Sequence, residues 1–378
     1  MLGIFLGFLT RLFGERNKNM NIMVFDVPAE SGGALSILND FYNEVVESKE
    51  KHVNWFFVLS TPKLEETDNI KVLQFPWIKK SWGHRFYFDQ VIAPKLVKKY
   101  KVDKVLSFQN ITIPRIKCEQ ILYVHQPLPF VDYKFSIKDN KKFWIYQNLI
   151  GRNIISSIKK AKHVIVQTQW MKKACIEKAR IEENKIEVIP PTINVEIKKY
   201  FEPNEKALKT FFYPASESAY KNHRIIVEAC QQLKKLTNTD YEVILTLNGN
   251  ENRDIVDLYK KIQNEKLPIR FEGLKTRGEV FEAYAKSILL FPSYIETFGM
   301  PLLEVRMCQG VILAADTPFA KEILEGYENA GFFDAFNSRE LSVLMYQYLQ
   351  EQRKYKNSSE VQQKNNKTKP LIEILLNS

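Results

Sequence analysis

The sequence predicts an α/β protein built from two doubly wound parallel sheets. From Asn21 onward, short runs of β-branched and aromatic residues alternate with longer amphipathic stretches, the pattern of strands joined by helical crossovers. Most strand runs are apolar along their whole length, as expected for a sheet that is covered on both faces. The alternation stops at Pro190 and Pro191, where the chain becomes polar, and it restarts at Thr210. The same series of strands and helices therefore occurs twice.

The first series contains strand-like runs that are bounded by turn residues, with helical patterns between most of them. The first run ends before the turn at Gly32 and Gly33, and an amphipathic stretch follows. The predicted strands cover residues 22–27, 53–59, 72–75, 104–108, 120–124, 163–167 and 185–189, and the predicted helices cover 34–48, 89–100, 141–160 and 170–179.

The second series repeats this order in a shorter span. Its predicted strands cover residues 210–213, 243–247, 269–271, 288–291 and 311–314, and its predicted helices cover 222–236, 279–286 and 301–308. A polar, low-complexity stretch then predicts a flexible tail, with an apolar run at 371–376 that could form a short docked helix.

These patterns predict four segments. They are an amphipathic N-terminal segment at 1–19, an N-terminal Rossmann-like domain at 20–192, a C-terminal Rossmann-like domain at 193–352 and a tail at 353–378. Ligands of open α/β sheets bind at the carboxyl ends of the strands. We therefore expect a ligand-binding cleft where the carboxyl ends of the two sheets face each other.

Composition excludes several classes of protein. Apolar residues make up 45% of the 378 residues and charged residues 26%, which is ordinary for a folded globular chain and excludes disorder over most of it. The four cysteines lie far apart, without the spacing of a metal site or a disulfide framework. The formal charge of +11 is compatible with nucleic acid, an anionic membrane, a phosphate-bearing ligand or a solvated lysine-rich surface. No apolar stretch is long enough for a membrane-spanning helix.

The first 19 residues form an apolar stripe at helical spacing. Leu2, Leu6, Leu9 and Phe13 fall on one side, and small residues occupy the other. Three interpretations remain open at this point: a helix lying in a membrane interface, a helix packed on the body of the protein, or a poorly ordered extension.

The stretch 291–310, FPSYIETFGMPLLEVRMCQG, is the most informative in the chain. A buried strand is followed by a loop with Glu296 and Gly299, and Pro301 then marks the start of a helix. Glu304 falls in the first turn of that helix, where a carboxylate also serves as a simple capping charge. Carboxylates at the mouth of a sheet accept hydrogen bonds from a vicinal diol, which suits a sugar or a ribose.

The pattern from Glu296 to Glu304 within PSYIETFGMPLLE resembles the signature of family 4 glycosyltransferases, retaining enzymes of the GT-B fold. The resemblance extends over about residues 21–337 and is clearer in the second half. It implies that Glu296 contacts the donor sugar and that Glu304 binds the nucleotide ribose. It also implies that the donor contacts the residues between the two acids, Thr297, Phe298, Gly299 and Met300.

Other positions fit the same family. Gly32 and Gly33 follow the first strand, where glycine allows backbone to approach a phosphate of the donor or an acceptor closely, although a tight turn alone would also explain them. His125 follows another strand, and the resemblance implies that it approaches the donor sugar. A lone histidine is otherwise more often structural.

The diphosphate-binding region departs from the family pattern. Lys221 matches the expected lysine, but the usual arginine is missing and Ser216 lies in its region. Arg277 could supply the missing charge. Gly273 and Leu274 resemble the segment that holds the nucleotide base.

The resemblance implies transfer of a hexose-type sugar from a nucleoside-diphosphate sugar to a hydroxyl of a saccharide or lipid-linked saccharide. Glu296, His125 and Lys221 would act in catalysis. No metal or other cofactor is expected, since the chain has no DxD triplet. The expected location is cytoplasmic, with peripheral contact with the anionic inner face of a membrane and no nucleic-acid partner. The alternatives are a GT-B epimerase or sugar phosphorylase, and a non-catalytic basic binder of membrane or nucleic acid.

Overall fold

The computed structural model describes residues 19–30, 32–191, 197–357 and 369–377. Contacts between Cα atoms divide the chain into two compact units. The first unit comprises Met1–Thr192 together with Lys367–Ser378, and the second comprises Ile193–Asn366.

The first unit contains a parallel sheet of seven strands in the order β3-β2-β1-β4-β5-β6-β7. The order reverses direction between β1 and β4, which makes the sheet doubly wound. The strands are β1 (Met20–Asp26), β2 (Val53–Leu59), β3 (Ile70–Gln74), β4 (Lys104–Ser107), β5 (Glu119–Tyr123), β6 (His163–Val166) and β7 (Ile186–Val188).

Helices cover both faces of this sheet. Alternate side chains of each strand point to opposite faces, and both sets are apolar, so each face is buried. In β1, Ile22 and Val24 pack in the cluster that includes Phe41, whereas Met23 and Phe25 pack on the other side with Phe88. The helices are α1 (Gly32–Ser48), α2 (Trp82–Tyr87), α3 (Ala93–Lys99), α4 (Ile137–Ile145, broken at Asn140), α5 (Gly151–Lys160) and α6 (Gln169–Ala179).

A helix from the end of the chain completes the first unit. This terminal helix, Leu371–Asn377, buries four apolar side chains and packs against α1. The backbone N–H of Ile372 donates to Glu44 Oε1 at 2.8 Å, and Lys104 Nζ donates to the carbonyl oxygen of Leu375 at 2.8 Å. A carboxylate thus meets the helix start and an ammonium group meets its end, which matches the helix dipole.

The second unit contains a parallel sheet of six strands in the order β10-β9-β8-β11-β12-β13. Its direction reverses between β8 and β11. The strands are β8 (Thr210–Tyr213), β9 (Glu242–Leu245), β10 (Ile269–Phe271), β11 (Ile288–Phe291), β12 (Ile312–Ala315) and β13 (Ala330–Phe333). The helices of this unit are α7 (Glu205–Leu208), α8 (His223–Leu236), α9 (Arg253–Glu265), α10 (Arg277–Tyr284), α11 (Met300–Met307), α12 (Pro318–Ile323) and α13 (Ser338–Leu349). The terminal helix of the first unit is α14 (Leu371–Asn377).

The predicted fold class is confirmed: the chain has two doubly wound parallel sheets. The sequence pattern missed six of these elements, namely α2, α7, α9, α12, α13 and the edge strand β13. Residues 353–357, which the sequence assigned to a flexible tail, are held by the second unit. There Lys356 N–H donates to Asn329 Oδ1 at 2.9 Å, and Arg353 Nη2 donates to the carbonyl of Ala330 at 2.6 Å. Residues 1–18 and residues 358–368 of the predicted tail lie outside the described residues.

None of the described helices is both long and apolar enough to cross a membrane.

Candidate active site

The strongest sequence candidates of the second unit follow β8 and β11, the two strands at which the sheet reverses direction. Lys221 follows β8, whereas Glu296 and Glu304 follow β11. In an open α/β sheet, the loops after such strands diverge and leave a crevice at the carboxyl edge. The topology therefore places the lysine and the two acids at the position where this kind of sheet binds ligands.

Lys221 and Glu296 form an ion pair, with Lys221 Nζ in direct contact with Glu296 Oε1. Ser293 Oγ donates to the same carboxylate oxygen at 2.7 Å. The lysine and glutamate side chains are 20% and 18% exposed, so the pair is mostly shielded but still reachable from solvent. The structure thus joins two residues that are 75 positions apart in the sequence.

Main-chain hydrogen bonds fix the two loops that carry this pair. The N–H of Tyr294 donates to the carbonyl of Tyr220 at 3.1 Å, and Tyr213 Oη donates to the carbonyl of Lys221 at 2.9 Å. Asn222 adopts a left-handed conformation at φ 60° and donates through Nδ2 to the carbonyl of Ala335 at 2.7 Å. Because both loops are tied in this way, the lysine and the carboxylate are preorganised.

The charge of Lys221 is secured by its partner. Burial by itself would lower the pKa of the ammonium group, but the Glu296 carboxylate outweighs that effect and raises the pKa above its ordinary value. Lys221 therefore stays protonated across the physiological range and remains available to balance the charge of an anionic ligand.

Glu304 is the fifth residue of α11, so it lies in the second turn and not in the first turn that the sequence predicted, and it is 9% exposed. Tyr284 Oη donates to its Oε2 at 3.1 Å, and Arg277 Nη2 donates to its Oε1 at 3.3 Å. Burial raises the pKa of the Glu304 carboxyl, whereas Arg277 and the Tyr284 hydrogen bond partly offset the rise. Arg277, considered above as a substitute for the missing diphosphate-binding arginine, is thus engaged with Glu304.

Between the two acids, the loop enters α11 through Gly299, whose φ of 93° is one that residues with a side chain rarely adopt. Phe298 is buried beneath the loop, while Thr297 and Met300 are partly exposed. Within the described part of the chain, no hydrogen bond uses the backbone N–H of Phe298 or Gly299. Together with the start of α11, these donors are suited to anionic or hydroxyl oxygens.

The remaining second-unit candidates lie on other loops. Gly273 adopts a φ of 72°, and an added Cβ would lie 2.7 Å from Asn248 Oδ1, so this position requires glycine. Leu274 beside it is 92% exposed. Ser216 is exposed, and its hydroxyl lies 3.5 Å from that of Ser218.

Three candidates belong to the first unit. Gly32 and Gly33 are exposed at the start of α1, and a Cβ on either would meet no atom within 4 Å. Gly32 has a φ of 62°, so its turn alone favours glycine. His125 follows β5, its backbone N–H donates to Asn110 Oδ1 at 2.7 Å, and burial lowers its pKa to about 4. The imidazole is therefore neutral at physiological pH.

Sequence reasoning missed the side chains that hold the two acids. Ser293 lies within the motif, but no residue spacing indicates that its hydroxyl binds Glu296. Tyr284 ends α10 and is brought to Glu304 by the packing of two helices, which left no signal in the sequence.

A group of buried polar side chains in the first unit was also missed. Asp26, Ser60 and Gln109 lie at the carboxyl ends of β1, β2 and β4. All three are at most 5% exposed, and their side-chain oxygens lack a hydrogen-bond partner among the described residues. Burial raises the pKa of the Asp26 carboxyl to about 7, although the nearby backbone of Ala29 and the charges of Arg85 and Lys79 oppose the rise.

Solved structures share this architecture. HepE of Anabaena, crystallised with UDP and glucose, superposes with a TM-score of 0.63 at 16% identity, covering 89% of this chain and 91% of HepE. Sucrose-phosphate synthase from Thermosynechococcus elongatus superposes with a TM-score of 0.67 at 12% identity, covering 88% of this chain and 90% of that one. The fold is GT-B, the two-sheet fold of one large class of glycosyltransferases.

Family comparisons narrow this class. A model described as Glycosyltransferase Family 4 matches residues 48–197, and one described as Glycosyl transferases group 1 matches residues 195–367. The chain belongs to glycosyltransferase family 4 and is a glycosyltransferase of the GT-B type. It is 23% identical over 245 residues to the O-antigen chain mannosyltransferase RfbU of Salmonella typhimurium, a match that covers 63% of this chain and 64% of RfbU.

Proposed function

We propose that this protein transfers a hexose-type sugar from a nucleoside-diphosphate sugar to a hydroxyl of a saccharide or lipid-linked saccharide, with retention of anomeric configuration. The assembly of a surface polysaccharide is the context that fits, because the matched relative RfbU is described as an O-antigen chain mannosyltransferase. The observation that carries the proposal is the ion pair of Lys221 and Glu296 at the reversal point of the second sheet.

Each member of this pair suits one half of the donor. The diphosphate gains negative charge as the glycosidic bond breaks, and a fixed ammonium group stabilises that charge without reorganisation. Glu296 accepts hydrogen bonds from the sugar hydroxyls and so orients the anomeric carbon. The free N–H groups near Gly299 supply further donors to the sugar or the diphosphate.

Glu304 is the proposed ligand of the nucleotide ribose. Tyr284 and Arg277 each donate one hydrogen bond to the Glu304 carboxylate, and each therefore occupies one of its acceptor directions. A carboxylate has about four acceptor directions, so two remain for a vicinal diol. Gly273 and Leu274 are proposed to lie against the base, and Ser216 to lie near the phosphates.

The proposed chemistry is attack on the front face of the donor. The bond from the anomeric carbon to the diphosphate oxygen breaks, and the acceptor oxygen bonds to the same face of that carbon. The proton of the acceptor hydroxyl passes to the departing diphosphate oxygen. Lys221 fills the charge-balancing role here, so we propose that no metal is needed. His125, Gly32 and Gly33 belong to the unit for which we propose acceptor contacts.

The experiment that tests the function has two stages. A thermal-shift panel of UDP-, GDP-, ADP- and dTDP-sugars identifies the donor, because a ligand at 100 times its Kd adds about 2.7 kcal/mol of stability. Nucleotide release is then measured with and without saccharide acceptors. Release that depends on an acceptor supports a transferase, whereas conversion of the donor without an acceptor indicates an epimerase. Stabilisation by no nucleotide sugar would reject the proposal.

Replacing Glu304 with glutamine is expected to weaken nucleotide binding by roughly 10- to 100-fold, since a hydrogen bond to a charged group contributes about 1.5–3 kcal/mol. Calorimetric titration of the nucleotide alone measures this effect. The matched control is Tyr284→Phe, which keeps the carboxylate and removes one supporting hydrogen bond, and it should cost less. An unchanged Kd for Glu304→Gln would exclude a ribose contact.

We further propose a cytoplasmic location with peripheral contact with an anionic membrane. The formal charge of +11 supports this, as does the requirement that a lipid-linked acceptor be reached at a bilayer surface. The apolar stripe of residues 1–19 stays a prediction, because residues 1–18 lie outside the described part of the chain.

A further inference from the structure

The first unit exposes a group of large apolar side chains next to each other. Trp82 and Phe86 are 63% and 68% exposed, and their i, i+4 spacing puts them on one side of α2. The ring of Trp82 lies 6.1 Å from that of Tyr146, which follows α4. Leu149, on the same segment as Tyr146, is 54% exposed. These four residues, Trp82, Phe86, Tyr146 and Leu149, are called the aromatic face below.

The aromatic face is firmly supported from beneath. Phe88, directly after α2, is fully buried and packs against Phe75 with ring centroids 5.2 Å apart. Arg85 Nε pairs with the mostly buried Asp89 at 2.7 Å. The outward rings therefore belong to an anchored segment, although they contribute little to its core. Contiguous exposed apolar side chains of this kind mark an interaction surface.

The charge around the aromatic face is predominantly basic, and two of its basic side chains, Lys79 and Arg85, are paired with Glu30 and Asp89. Residues 76–87 carry three basic side chains and no acid, and residues 137–160 carry six basic side chains and one acid. Lys142 precedes Tyr146 by four residues, so the two share a side of the helical segment. The surface is thus apolar at its centre and basic at its margin.

The basic character continues into a groove beside the face. This groove has a volume of about 1,310 Å³, begins at Phe86 and passes the end of α5. Seven basic side chains and three carboxylates line it. Lys160 and Arg115 are among the basic ones.

From this arrangement we infer that the aromatic face and its basic margin form the surface by which the protein binds an anionic lipid bilayer. The inference rests on the proposed membrane contact and names the surface responsible. Aromatic and aliphatic side chains partition into the boundary between headgroups and acyl chains, while lysines at the margin meet lipid phosphates. A second copy of this chain is a poorer occupant, because a two-fold interface would oppose basic margins.

Vesicle binding of the full chain tests this inference. The first variant is Trp82→Ser with Phe86→Ser, and the second is Lys141→Gln with Lys142→Gln. The matched control, Lys51→Gln with Lys63→Gln, makes the same charge change at exposed positions outside the face. Co-sedimentation is measured with vesicles of phosphatidylglycerol and phosphatidylcholine, and with phosphatidylcholine alone.

The wild type and the control are expected to bind the anionic vesicles and not to bind the neutral ones. The lysine variant should lose roughly 30-fold in partition coefficient, since each of the two basic residues near the surface contributes about 1 kcal/mol. The serine variant should lose at least as much, and tryptophan emission of the wild type should shift to the blue on binding. The inference would be overturned if both variants bound the anionic vesicles as strongly as the wild type does. It would also be overturned if the wild type bound neutral and anionic vesicles equally.

Measuring the affinity for the nucleotide sugar distinguishes a failure of the membrane inference from a failure of the proposed function. Both face variants should keep wild-type affinity for the nucleotide sugar, because they leave Lys221, Glu296 and Glu304 of the second unit unchanged. Loss of vesicle binding with donor affinity intact supports the membrane surface. Failure of the wild type to bind any nucleotide sugar would reject the proposed function and leave the vesicle result standing. A face variant that changes the oligomeric state without lipid would show that copies of the chain cover this surface, against the inference.

Discussion

Replacing Glu296 with glutamine is expected to lower the transfer rate by about three orders of magnitude. Glutamine has nearly the same shape but no charge, so it accepts sugar hydroxyls weakly and leaves Lys221 without its ionic partner. Removing one preorganised polar group from an active site costs roughly 10²- to 10³-fold in kcat. Affinity for the nucleotide alone should change only a few-fold, because Glu296 faces the sugar in the proposed arrangement.

The companion variant Lys221→Met should produce a loss of similar size for a different reason. It removes the cation that balances the departing diphosphate and leaves Glu296 without its ionic partner. Because the two groups contact each other directly, their effects should not add. The double variant should therefore be close to the slower of the two single variants.

Two further variants make this experiment specific. Ser293→Ala keeps both charges and removes one hydrogen bond to Glu296, so its loss should be about tenfold. Glu242→Gln breaks the ion pair with Arg270 at the amino end of β9. The candidate site follows the carboxyl ends of the strands in the same sheet, so this control should leave the rate unchanged. Near-wild-type transfer by Glu296→Gln, assayed with the identified donor, would contradict the proposed site.

The strand rhythm of the sequence was sufficient to predict the fold class, because buried parallel strands leave nearly continuous apolar runs. The strand at 288–291 was placed correctly to the residue for this reason. The edge strand β13 was missed because its sequence, AGFF, is short and contains glycine. Helix α9 was missed because charged residues on its exposed side obscure the buried positions Ile255, Leu258 and Ile262.

The candidate site was predictable only where its residues are close in sequence. Glu296 and Glu304 belong to one motif, and the motif also marks the start of α11. The contact of Glu296 with Lys221 depends on two strands becoming neighbours in the sheet, which one sequence does not reveal. The same limit explains why Arg277 was considered for the diphosphate, whereas helix packing brings it to Glu304.

The aromatic face also depends on contacts that the sequence conceals. The stripe of residues 1–19 was conspicuous because its apolar residues repeat at helical spacing. Trp82 and Tyr146 are 64 positions apart, and only the folded first unit places their rings together. Neither segment taken alone predicts a surface.

Asp26→Asn is expected to stabilise the first unit increasingly as pH rises. The Asp26 carboxyl has a pKa of about 7 in the folded protein, against an ordinary value of 3.8. Between these values the folded state binds more protons than the unfolded state, so the stability of the wild type falls as pH increases. The rise in pKa corresponds to on the order of 4 kcal/mol across the whole window.

The groups around Asp26 explain why ionising its carboxyl destabilises the folded state. Arg85 and Lys79 favour the carboxylate, but Arg85 is paired with Asp89 and Lys79 with Glu30, which weakens their support. Desolvation therefore dominates. Asparagine cannot ionise, so the variant should resemble the wild type near pH 4.5 and exceed it in unfolding free energy by a few kcal/mol near pH 8.

Tryptophan fluorescence can isolate this effect, because all five tryptophans of the chain lie in the first unit. Urea unfolding would be followed by this signal at several pH values for the wild type and for Asp26→Asn. Asp68→Asn removes an exposed carboxyl of the same unit and should follow the wild-type profile. Parallel pH profiles for the wild type and Asp26→Asn would show that folding does not raise the pKa of Asp26, because the two curves diverge only where the folded and unfolded states bind different numbers of protons at this carboxyl.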